Sequence, residues 1–303
     1  MIGIVILNYN NWSNTVNCIN SINNIHIESD YKIYLVDNKS TVQITDDAKE
    51  IIKNNSVIFI EAENNNGYSA GNNIGIRTAL KDGCTSIFIS NNDIVFKSNV
   101  FDPMKDFLIN NPDVGVVAPK ILLPFGIMQE TNMKCKLTIK GKYKYMLRNS
   151  VFKAFSRNFL EEFQIKESDL IESKYVYGVS GCFFAFSKKC IEKIGLFDEN
   201  VFLYMEEYIL SIKMEKAKLK TVILPELTVI HEHSQSTKSV PAFAFSCMVE
   251  SESYYLKKYL DANIFELLGI KIIRFFQYIF KCLKYKMYRE NFTVFIKKLF
   301  KYL

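Results

Sequence analysis

Polar side chains follow three short apolar segments in the first hundred residues of the sequence. In chain order, they form three groups, namely Asn8 with Tyr9, Asp37 with Asn38, and Asn92 with Asp93. Amide, phenol and carboxylate oxygens can hydrogen-bond a base or a ribose, and a carboxylate can also hold a hard divalent cation. Because asparagine and aspartate favour the turns after strands, each group alone predicts only a turn. Three such groups on one edge of a sheet favour a ligand site.

A second set of ionisable residues lies further along the chain. Glu206 and Glu207 are adjacent in an amphipathic stretch, and His231 follows an apolar segment and lies close to His233. A carboxylate beside a hydroxyl group can remove its proton as a new bond forms, and an imidazole can help to bind a metal. Adjacent glutamates are more often a solvated helix face and a single histidine is more often structural, so those alternatives stay open.

The elements that must position these groups are predicted from the alternation of apolar runs with longer amphipathic stretches. Strands are predicted at residues 2–7, 31–36, 57–60, 85–90 and 114–118, and helices at residues 11–25, 46–54, 69–80 and 98–110. Strands separated by helices of this length form right-handed parallel crossovers, and such sheets bind ligands beyond the carboxyl ends of their strands. The polar groups are therefore expected at one functional edge.

The second half of the chain is less regular. Residues 125–173 have Lys-rich and aromatic patches and are predicted to form an insertion or lid over the acceptor side. Residues 202–219 are predicted to be helical, and residues 221–224 form a short strand that Pro225 ends, because proline cannot donate a ladder hydrogen bond.

Eight segments, in this order, carry a resemblance to a known family. They are residues 6–10, 36–40, 66–75, 91–93, 178–182, 195–199 and 202–207, together with His231. The set resembles the family 2 inverting glycosyltransferases of the GT-A fold, particularly their bacterial rhamnosyltransferase-like branch, over residues 1–235. The resemblance implies an α/β fold with a Rossmann-like, mostly parallel central sheet flanked by helices, and a C-terminal helical extension.

The same resemblance implies a division of the chain. The GT-A catalytic domain would span residues 1–240, with the nucleotide-binding half at 1–100 and the acceptor half, including the insertion, at 101–240. An amphipathic basic helical tail would follow at 241–303.

Roles for the site residues follow from the resemblance. Nucleotide contacts are implied for Asn8, Tyr9, Asp37, Asn38, Asn66, Gly67, Gly71, Asn73 and Asn92, of which Asp37 would accept a hydrogen bond from the base or its ribose. Asp93 and His231 would hold a divalent metal, Mn²⁺ or Mg²⁺. Glu207 takes the position of the general base, with Glu206 beside it. The implied donor is a UDP- or dTDP-sugar, and the acceptor is a glycan or lipid-linked hydroxyl in cell-surface polysaccharide synthesis.

The sequence departs from the family pattern at three positions. Asn91 replaces the first aspartate of the metal motif, Glu207 replaces the usual aspartate, and Ile209 replaces a further acidic residue. These changes leave a second hypothesis open, in which the chain is a weak or inactive homologue that acts as a membrane-attached assembly partner. A nucleotidyltransferase is disfavoured, because no Gly-rich, Arg/Lys-bearing loop follows the first strand.

The positive charge of the chain is concentrated at its C-terminal end. The net charge is +6, and nine lysines and arginines lie from Lys271 onward against one acidic residue, Glu290. Because the body is then slightly acidic, nucleic-acid binding is disfavoured. Residues 264–303 are predicted to be an amphipathic helix whose basic stripe contacts an anionic membrane, although packing on the body or on a second subunit as a homodimer is the alternative.

Cysteine usage and hydropathy complete the expectation for localisation. The seven cysteines form no CxxC pair, which favours reduced thiols rather than a zinc ribbon or a disulfide framework. No long uncharged apolar run or N-terminal leader is evident. The sequence therefore predicts a cytoplasmic protein, peripheral at the inner face of the cell membrane.

Overall fold

The computed structural model shows a mixed α/β protein in which helices flank a central sheet. It describes residues 1–54, 56–148, 159–232 and 240–302. The strands are β1 Ile2–Asn8, β2 Tyr31–Asp37, β3 Val57–Glu61, β4 Ser86–Asn91, β5 Ile94–Val95, β6 Val114–Leu122, β7 Lys174–Val176, β8 Phe183–Ser187 and β9 Lys220–His231. The helices of the first two hundred residues are α1 Trp12–Asn23, α2 Asp46–Ile52, α3 Gly67–Lys81, α4 Phe101–Asn110, α5 Ile139–Leu147, α6 Phe159–Phe163 and α7 Lys188–Ile194. The later helices are α8 Glu206–Lys216, α9 Pro241–Tyr259, α10 Ile264–Lys284, α11 Lys286–Glu290 and α12 Phe292–Phe300.

The central sheet brings the predicted functional edge together. Its strands lie in the order β3-β2-β1-β4-β8-β6-β9-β5, with β7 paired to β9. The first four are parallel, and their registers place Asn8 beside Asp37 and Leu7 beside Asn91. The α/β fold and the parallel first half are therefore confirmed. The sheet is not continuously parallel, however, because β8 runs antiparallel between β4 and β6.

The prediction that Pro225 ends the last strand was wrong. Strand β9 continues through it to His231, and its pairing with β6 shifts between Leu224, which pairs with Pro119, and Thr228, which pairs with Lys120. Proline is tolerated at such an irregularity because its missing N–H is not needed for the ladder there. The longer strand matters for the site, since it pairs His231 with Ile94 next to Asp93.

A close backbone contact fixes the start of α3 to the loop before α8. The Tyr68 amide donates to the Phe202 carbonyl at 2.8 Å. Gly67 has a φ of +91°, and a Cβ built there would lie 2.1 Å from the Phe202 oxygen. Only glycine combines this backbone conformation with such a close approach. The start of α3 and the loop before Glu206 are thus held together by main-chain atoms.

We predict that Gly67→Ala destabilises the fold more than Gly83→Ala does. Both glycines have a φ near +90°, but a Cβ at Gly83 would meet nothing within 4 Å. Gly83→Ala should cost about 1–2 kcal/mol from its left-handed backbone alone. Gly67→Ala should cost about 1–3 kcal/mol more, because the loop at Phe202 must move. Urea denaturation of the two variants checks this, and equal losses would contradict it.

The C-terminal helices pack on α8 and its surroundings. Tyr255, Leu256, Leu267 and Ile270 of α9 and α10 form one apolar cluster with Ile209 of α8 and its neighbours. Ile209 is 1% exposed, so the acidic residue that the family pattern would place there would be buried in this cluster. None of the helices that the structure describes combines the length and apolar character that crossing a membrane requires.

Two residues of the predicted basic stripe of α10, Lys271 and Arg274, face the protein, so the prediction was wrong for them, whereas Lys284 at the end of the stripe is exposed. Lys271 and Arg274 are buried, and the Lys271 ammonium donates to the Leu299 carbonyl. Arg274 donates to both carboxylate oxygens of Glu252 at 2.7 and 2.8 Å, and Lys142 of α5 lies 2.5 Å from the same carboxylate. The physical reason is charge pairing, because Glu252 in the core needs cations around it.

We predict that Glu252→Gln lowers the free energy of unfolding by about 3–5 kcal/mol near neutral pH, because it leaves two buried cations without their anion. Burial raises the pKa of Glu252, but Arg274 and Lys142 outweigh it and lower the pKa to about 2. A carboxylate with a lowered pKa stabilises the fold fully at pH values above the ordinary pKa of 4.5. This stabilisation is lost as the pH falls towards 2.

The difference between the wild type and Glu252→Gln should therefore shrink in acid. Urea denaturation near neutral pH and at about pH 3 measures it. The control is Glu192→Gln on α7, an exposed glutamate whose pair with Lys188 is solvated and whose loss should cost at most about 1 kcal/mol. A loss no larger than that of the control would contradict the role of the buried cluster.

Candidate active site

Asp37 is the centre of a hydrogen-bond network at the ends of β1 and β2. The Asn8 amide donates to Asp37 Oδ1 at 2.9 Å, and the Ser40 hydroxyl and amide donate to the Asp37 carboxylate. Thr15 donates to Asn8 Oδ1 at 2.9 Å, and Asn92 Nδ2 lies 3.0 Å from the Thr15 hydroxyl. The structure therefore brings the predicted residues Asn8, Asp37 and Asn92 together, through Ser40 and Thr15, which the sequence did not single out.

Tyr9 differs from these residues because its ring reaches solvent. It is 39% exposed, immediately after the buried Asn8. The next residue, Asn10, has a φ of +58° and accepts hydrogen bonds from the amides of Thr41 and Val42. The loops after β1 and β2 are thus tied to each other, which leaves Tyr9 at the opening of this edge.

The loop that begins α3 contacts the same edge. Asn38 donates to Asn65 Oδ1 at 2.9 Å and to the Gly67 carbonyl at 3.1 Å. Asn65 also accepts the Gly67 amide, whereas the predicted Asn66 is exposed and makes no capping bond. At Gly71, a Cβ would lie 2.5 Å from a Leu7 methyl and 3.3 Å from Asn38 Cγ, so glycine is needed for the helix to pack on β1.

Three buried acceptors near this loop lack hydrogen-bond partners among the described residues. They are the side-chain oxygens of Asn38, Ser69 and Asn72. Buried polar atoms are normally hydrogen-bonded, so orphaned acceptors mark places where a ligand or water completes the site.

Asn73 has a different environment from the one predicted. Its amide nitrogen donates to the Phe197 carbonyl at 3.0 Å and to Glu199 at 2.8 Å, and its oxygen accepts the Phe197 amide. The side chain is completely buried. Asn73 therefore joins α3 to the 197–199 loop, and this arrangement gives no support to a direct nucleotide contact.

Asp93 and His231 form a buried pair at the end of the sheet. His231 Nε2 lies 3.2 Å from Asp93 Oδ1, and His231 Nδ1 lies 2.7 Å from the amide oxygen of Gln129. Gln129 belongs to the segment that was predicted to be an insertion, and nothing in the sequence pattern identified it. Such a contact on the second ring nitrogen fixes the orientation and tautomer of the imidazole. His233 lies outside the described residues.

The pKa of His231 reflects this environment. Burial lowers it, but hydrogen bonding with Asp93 and Cys182 outweighs burial and raises the pKa to about 10. Asp93 Oδ2 is buried without a hydrogen-bond partner among the described residues. A carboxylate oxygen and an imidazole nitrogen are a donor set that Mn²⁺ accepts, and Mg²⁺ prefers oxygen ligands.

The residues present fit a metal that draws its remaining ligands from elsewhere. No group of three acidic, histidine or cysteine side chains suited to a metal occurs in residues 1–54, 56–148, 159–232 and 240–302. A cation at Asp93 and His231 would need water or substrate oxygens to complete its shell, as is usual where a divalent cation binds phosphates.

Glu206 and Glu207 open α8 beside this pair. The Tyr68 hydroxyl donates to the Gly181 carbonyl at 2.6 Å, and its electrostatic neighbours are Glu206, Glu207 and Asp93. A Cβ on Gly181 would lie 4.0 Å from Glu206 Oε1 and 3.9 Å from the Tyr68 hydroxyl, so the glycine backbone lies close to both groups. One oxygen of each glutamate has no hydrogen-bond partner among the described residues.

The two glutamates differ in how strongly they hold a proton. Burial raises the pKa of both, and the neighbouring Glu207 carboxylate raises the pKa of Glu206 further, well above its ordinary value. A single proton held by this pair leaves one carboxyl group protonated and the other ionised. The site thus offers one acid and one base side by side.

The backbone before the glutamates is strained. Tyr204 and Met205 both have left-handed backbones, with φ of +69° and +72°. Such conformations cost about 1–3 kcal/mol each and persist where surrounding contacts impose them. Here the loop is held by the contact of Phe202 with Tyr68 and by the bond from the Ser251 hydroxyl to the Leu203 carbonyl.

Asp198 has a structural role in the loop before α8. Its Oδ1 accepts the Asn200 amide at 3.0 Å, and its Oδ2 accepts the hydroxyl groups of Tyr254 and Tyr259 at 2.8 and 2.6 Å. These bonds tie the loop before α8 to α9. The C-terminal helices therefore help to position the glutamates.

Comparison with known proteins agrees with the fold and gives the family of the chain. The sequence model of "Glycosyl transferase family 2" matches residues 3–195, which is more than half of the chain. The chain therefore belongs to glycosyl transferase family 2. An N-acetylglucosaminyl-diphospho-decaprenol L-rhamnosyltransferase of Mycobacterium tuberculosis is 25% identical over 161 residues, which is 52% of this chain and 50% of that protein. The chain thus spans about half the length of this curated relative.

Solved structures show the same architecture at low sequence identity. A crystal structure of GalNAc-T7 with UDP, GalNAc and Mn²⁺ aligns with a TM-score of 0.60 at 15% identity, covering 85% of this chain and 50% of that one. S. aureus TarS aligns with a TM-score of 0.53 at 13% identity, covering 91% of this chain and 43% of that one. These alignments support the GT-A type of α/β fold.

We predict that Asp93→Asn lowers the pKa of His231 from about 10 towards its ordinary value of 6.5, because the hydrogen bond to the carboxylate is lost. Titration of the imidazole signals by NMR in buffer with a metal chelator measures this, and the chain has only three histidines to assign. Asp37→Asn is the control, since Asp37 bonds to Asn8 and Ser40 instead. An unchanged His231 pKa in Asp93→Asn would contradict the pairing.

Proposed function

We propose that this chain is an inverting glycosyltransferase that moves a sugar from a UDP- or dTDP-sugar to a hydroxyl of a glycan or lipid-linked acceptor, in cell-surface polysaccharide synthesis. The observation that carries the proposal is the convergence of Asp93, His231, Glu206 and Glu207 around Tyr68, at the carboxyl edge of the sheet. The name of the mycobacterial relative, an L-rhamnosyltransferase for a diphospho-decaprenol acceptor, supports this choice of donor and acceptor class.

The nucleotide would bind along the edge formed by β1, β2 and the start of α3. Asn8 and Asp37 are already hydrogen-bonded to each other and to Ser40, so they form a rigid wall of the site and have few hydrogen-bonding groups left for a ligand. The unpartnered oxygen of Asn38 and the exposed Tyr9 ring are the groups left to contact a base or ribose. The proposed nucleotide contacts therefore rest chiefly on Tyr9 and Asn38.

The diphosphate would lie towards Asp93 and His231. A divalent cation bound there would neutralise charge on the departing nucleoside diphosphate. Asp93 is the better ligand of the Asn91–Asp93 segment, since its carboxylate is buried with an unpartnered oxygen, whereas Asn91 donates its backbone amide to the Cys182 carbonyl. Gln129 would hold the His231 ring in place.

The transfer step needs one base. Glu207 would remove the proton of the acceptor hydroxyl as the oxygen attacks the anomeric carbon, and the bond from that carbon to the phosphate oxygen breaks with its electron pair leaving on the nucleoside diphosphate. Attack from the face opposite the leaving group inverts the anomeric centre. Burial raises the pKa of Glu207, which makes it a better base than an exposed glutamate.

We predict that Glu207→Gln lowers the transfer rate about 100-fold or more while nucleotide binding persists, because only proton removal is lost. The matched control is Glu215→Gln, at the exposed end of the same helix. Product formation from a panel of UDP- and dTDP-sugars with Mn²⁺ and lipid-linked acceptors measures the rate. Equal activity in Glu207→Gln and in the control would contradict the assignment of the base.

The competing hypothesis of an inactive assembly partner gives a different result in the same assay. The wild type would then bind UDP or dTDP but form no product with any acceptor. Failure to bind either nucleoside diphosphate would contradict both hypotheses.

A further inference from the structure

The outward face of α10 is almost entirely apolar. Its exposed side chains recur at intervals of three and four residues, which places them on one side of the helix. They are Phe265, Leu268, Ile272, Phe276, Phe280 and Leu283, and we call them the α10 apolar face. The face runs along a helix of 21 residues, or about 30 Å. Soluble proteins rarely leave so continuous an apolar surface exposed without a partner.

A surface helix of a soluble protein normally carries its charged side chains on the solvent side, whereas α10 carries two of them on the side that faces the protein. Its charged residues Lys271 and Arg274 face the protein, together with Leu267, Ile270 and Tyr278. Within α10, all of which the structure describes, no charged side chain before Lys284 is fully exposed. The inward cations are already bound, to Leu299 and to Glu252, so the helix cannot turn its apolar face inward without breaking them.

Exposed cations lie at the C-terminal end of this face. Lys284, Arg289 and Lys297 are exposed and belong to no ion pair of the described residues. The one exposed acid nearby, Glu290, is paired with Lys286 at 3.5 Å. Tyr285 is also exposed at this end, where its ring has an apolar body and a polar tip.

This combination fits an anionic bilayer better than a second copy of the chain. A two-fold dimer would place the same surface on both sides, and that surface has no exposed acid free to balance its three cations. A bilayer with acidic headgroups supplies both the negative charge and an apolar layer, and tyrosine is favoured at the level of the headgroups.

We propose that the α10 apolar face inserts into the interfacial region of an anionic membrane. The helix would lie parallel to the membrane plane, with Lys284, Arg289 and Lys297 at the lipid headgroups. The inference is independent of the proposed transfer reaction, because it needs neither nucleotide nor turnover. It places the membrane contact on the face of α10 opposite to Lys271 and Arg274, the first two cations of the basic stripe that the sequence had indicated.

Vesicle sedimentation of the full chain tests this inference. The vesicles are phosphatidylcholine alone, and phosphatidylcholine with phosphatidylglycerol in equal parts. We expect the wild type to sediment with the mixed vesicles and much less with phosphatidylcholine. The double variant Ile272→Ser/Phe280→Ser should bind the mixed vesicles about tenfold or more weakly, because it lacks two apolar side chains that the bilayer would bury.

Two further variants separate apolar insertion from other effects. Ile109→Ser/Phe125→Ser removes one isoleucine and one phenylalanine that are at least as exposed elsewhere, and it should bind like the wild type. Lys284→Glu/Lys297→Glu should lower affinity for mixed vesicles by about fivefold or more for each charge removed. Thermal melts of all variants show whether each is folded, and the exposed positions make an unfolded variant unexpected.

Three results would overturn the inference. One is a wild type that sediments with neither vesicle. Another is an Ile272→Ser/Phe280→Ser variant that is folded and binds the mixed vesicles as strongly as its control does. The third is sedimentation equilibrium showing a wild-type dimer that Ile272→Ser/Phe280→Ser converts to a monomer, without vesicle binding, since a second copy would then cover the face.

Discussion

The arrangement of this protein depends on keeping three carboxyl groups away from water: those of Glu206 and Glu207 lie side by side, and that of Asp93 acts electrostatically on the same Tyr68 hydroxyl as they do. Like charges in such a place cannot all stay ionised, so the site must supply protons, cations or both. A protonated His231 provides one cation beside Asp93 and would release its proton on binding a metal, and burial together with Glu207 raises the pKa of Glu206. Asp93 and Glu207 each keep a carboxylate oxygen without a hydrogen-bond partner among the described residues. In the proposed site, a metal ion would bind the first of these oxygens and an acceptor hydroxyl would donate to the second. Electrostatics therefore connects the shape of the site to its chemistry.

The rest of the fold holds these groups in place against that repulsion. Main-chain contact between Tyr68 and Phe202 joins α3 to the loop before α8, and two left-handed residues turn that loop into the helix. Asp198 then ties the loop to α9, whose own position depends on the buried Glu252 and its partners on α5 and α10. The C-terminal helices are thus part of the support of the active site. A membrane contact through α10 would be transmitted to the site by a packed layer rather than by a flexible tail.

The sequence predicted the α/β class, the parallel first half of the sheet and the grouping of Asn8, Asp37 and Asn92, because strand periodicity and turn chemistry are local properties. It missed Gln129 and the continuation of β9 through Pro225, since both depend on pairing with segments far along the chain. It also misplaced the first two cations of the basic stripe of α10, because spacing shows which residues share a face but not which way that face points. Lys271 and Arg274 turn inward only because Leu299 and Glu252 receive them, and no local pattern reveals that. Asn73 was misleading for a similar reason, since its partners lie in the distant 197–199 loop.

Calorimetric titration of the full chain with UDP and dTDP, in buffer with Mn²⁺ and in buffer with a chelator, tests the central claim most directly. Because the nucleotide wall is preformed whereas Asp93 and His231 supply only part of a metal shell, we predict that a nucleoside diphosphate binds and that Mn²⁺ strengthens this binding. Asp93→Asn should abolish the effect of Mn²⁺, while Asp46→Asn, an exposed aspartate on α2, should leave it unchanged. Equal binding of the diphosphate with and without Mn²⁺ in the wild type, or no binding at all, would contradict the account.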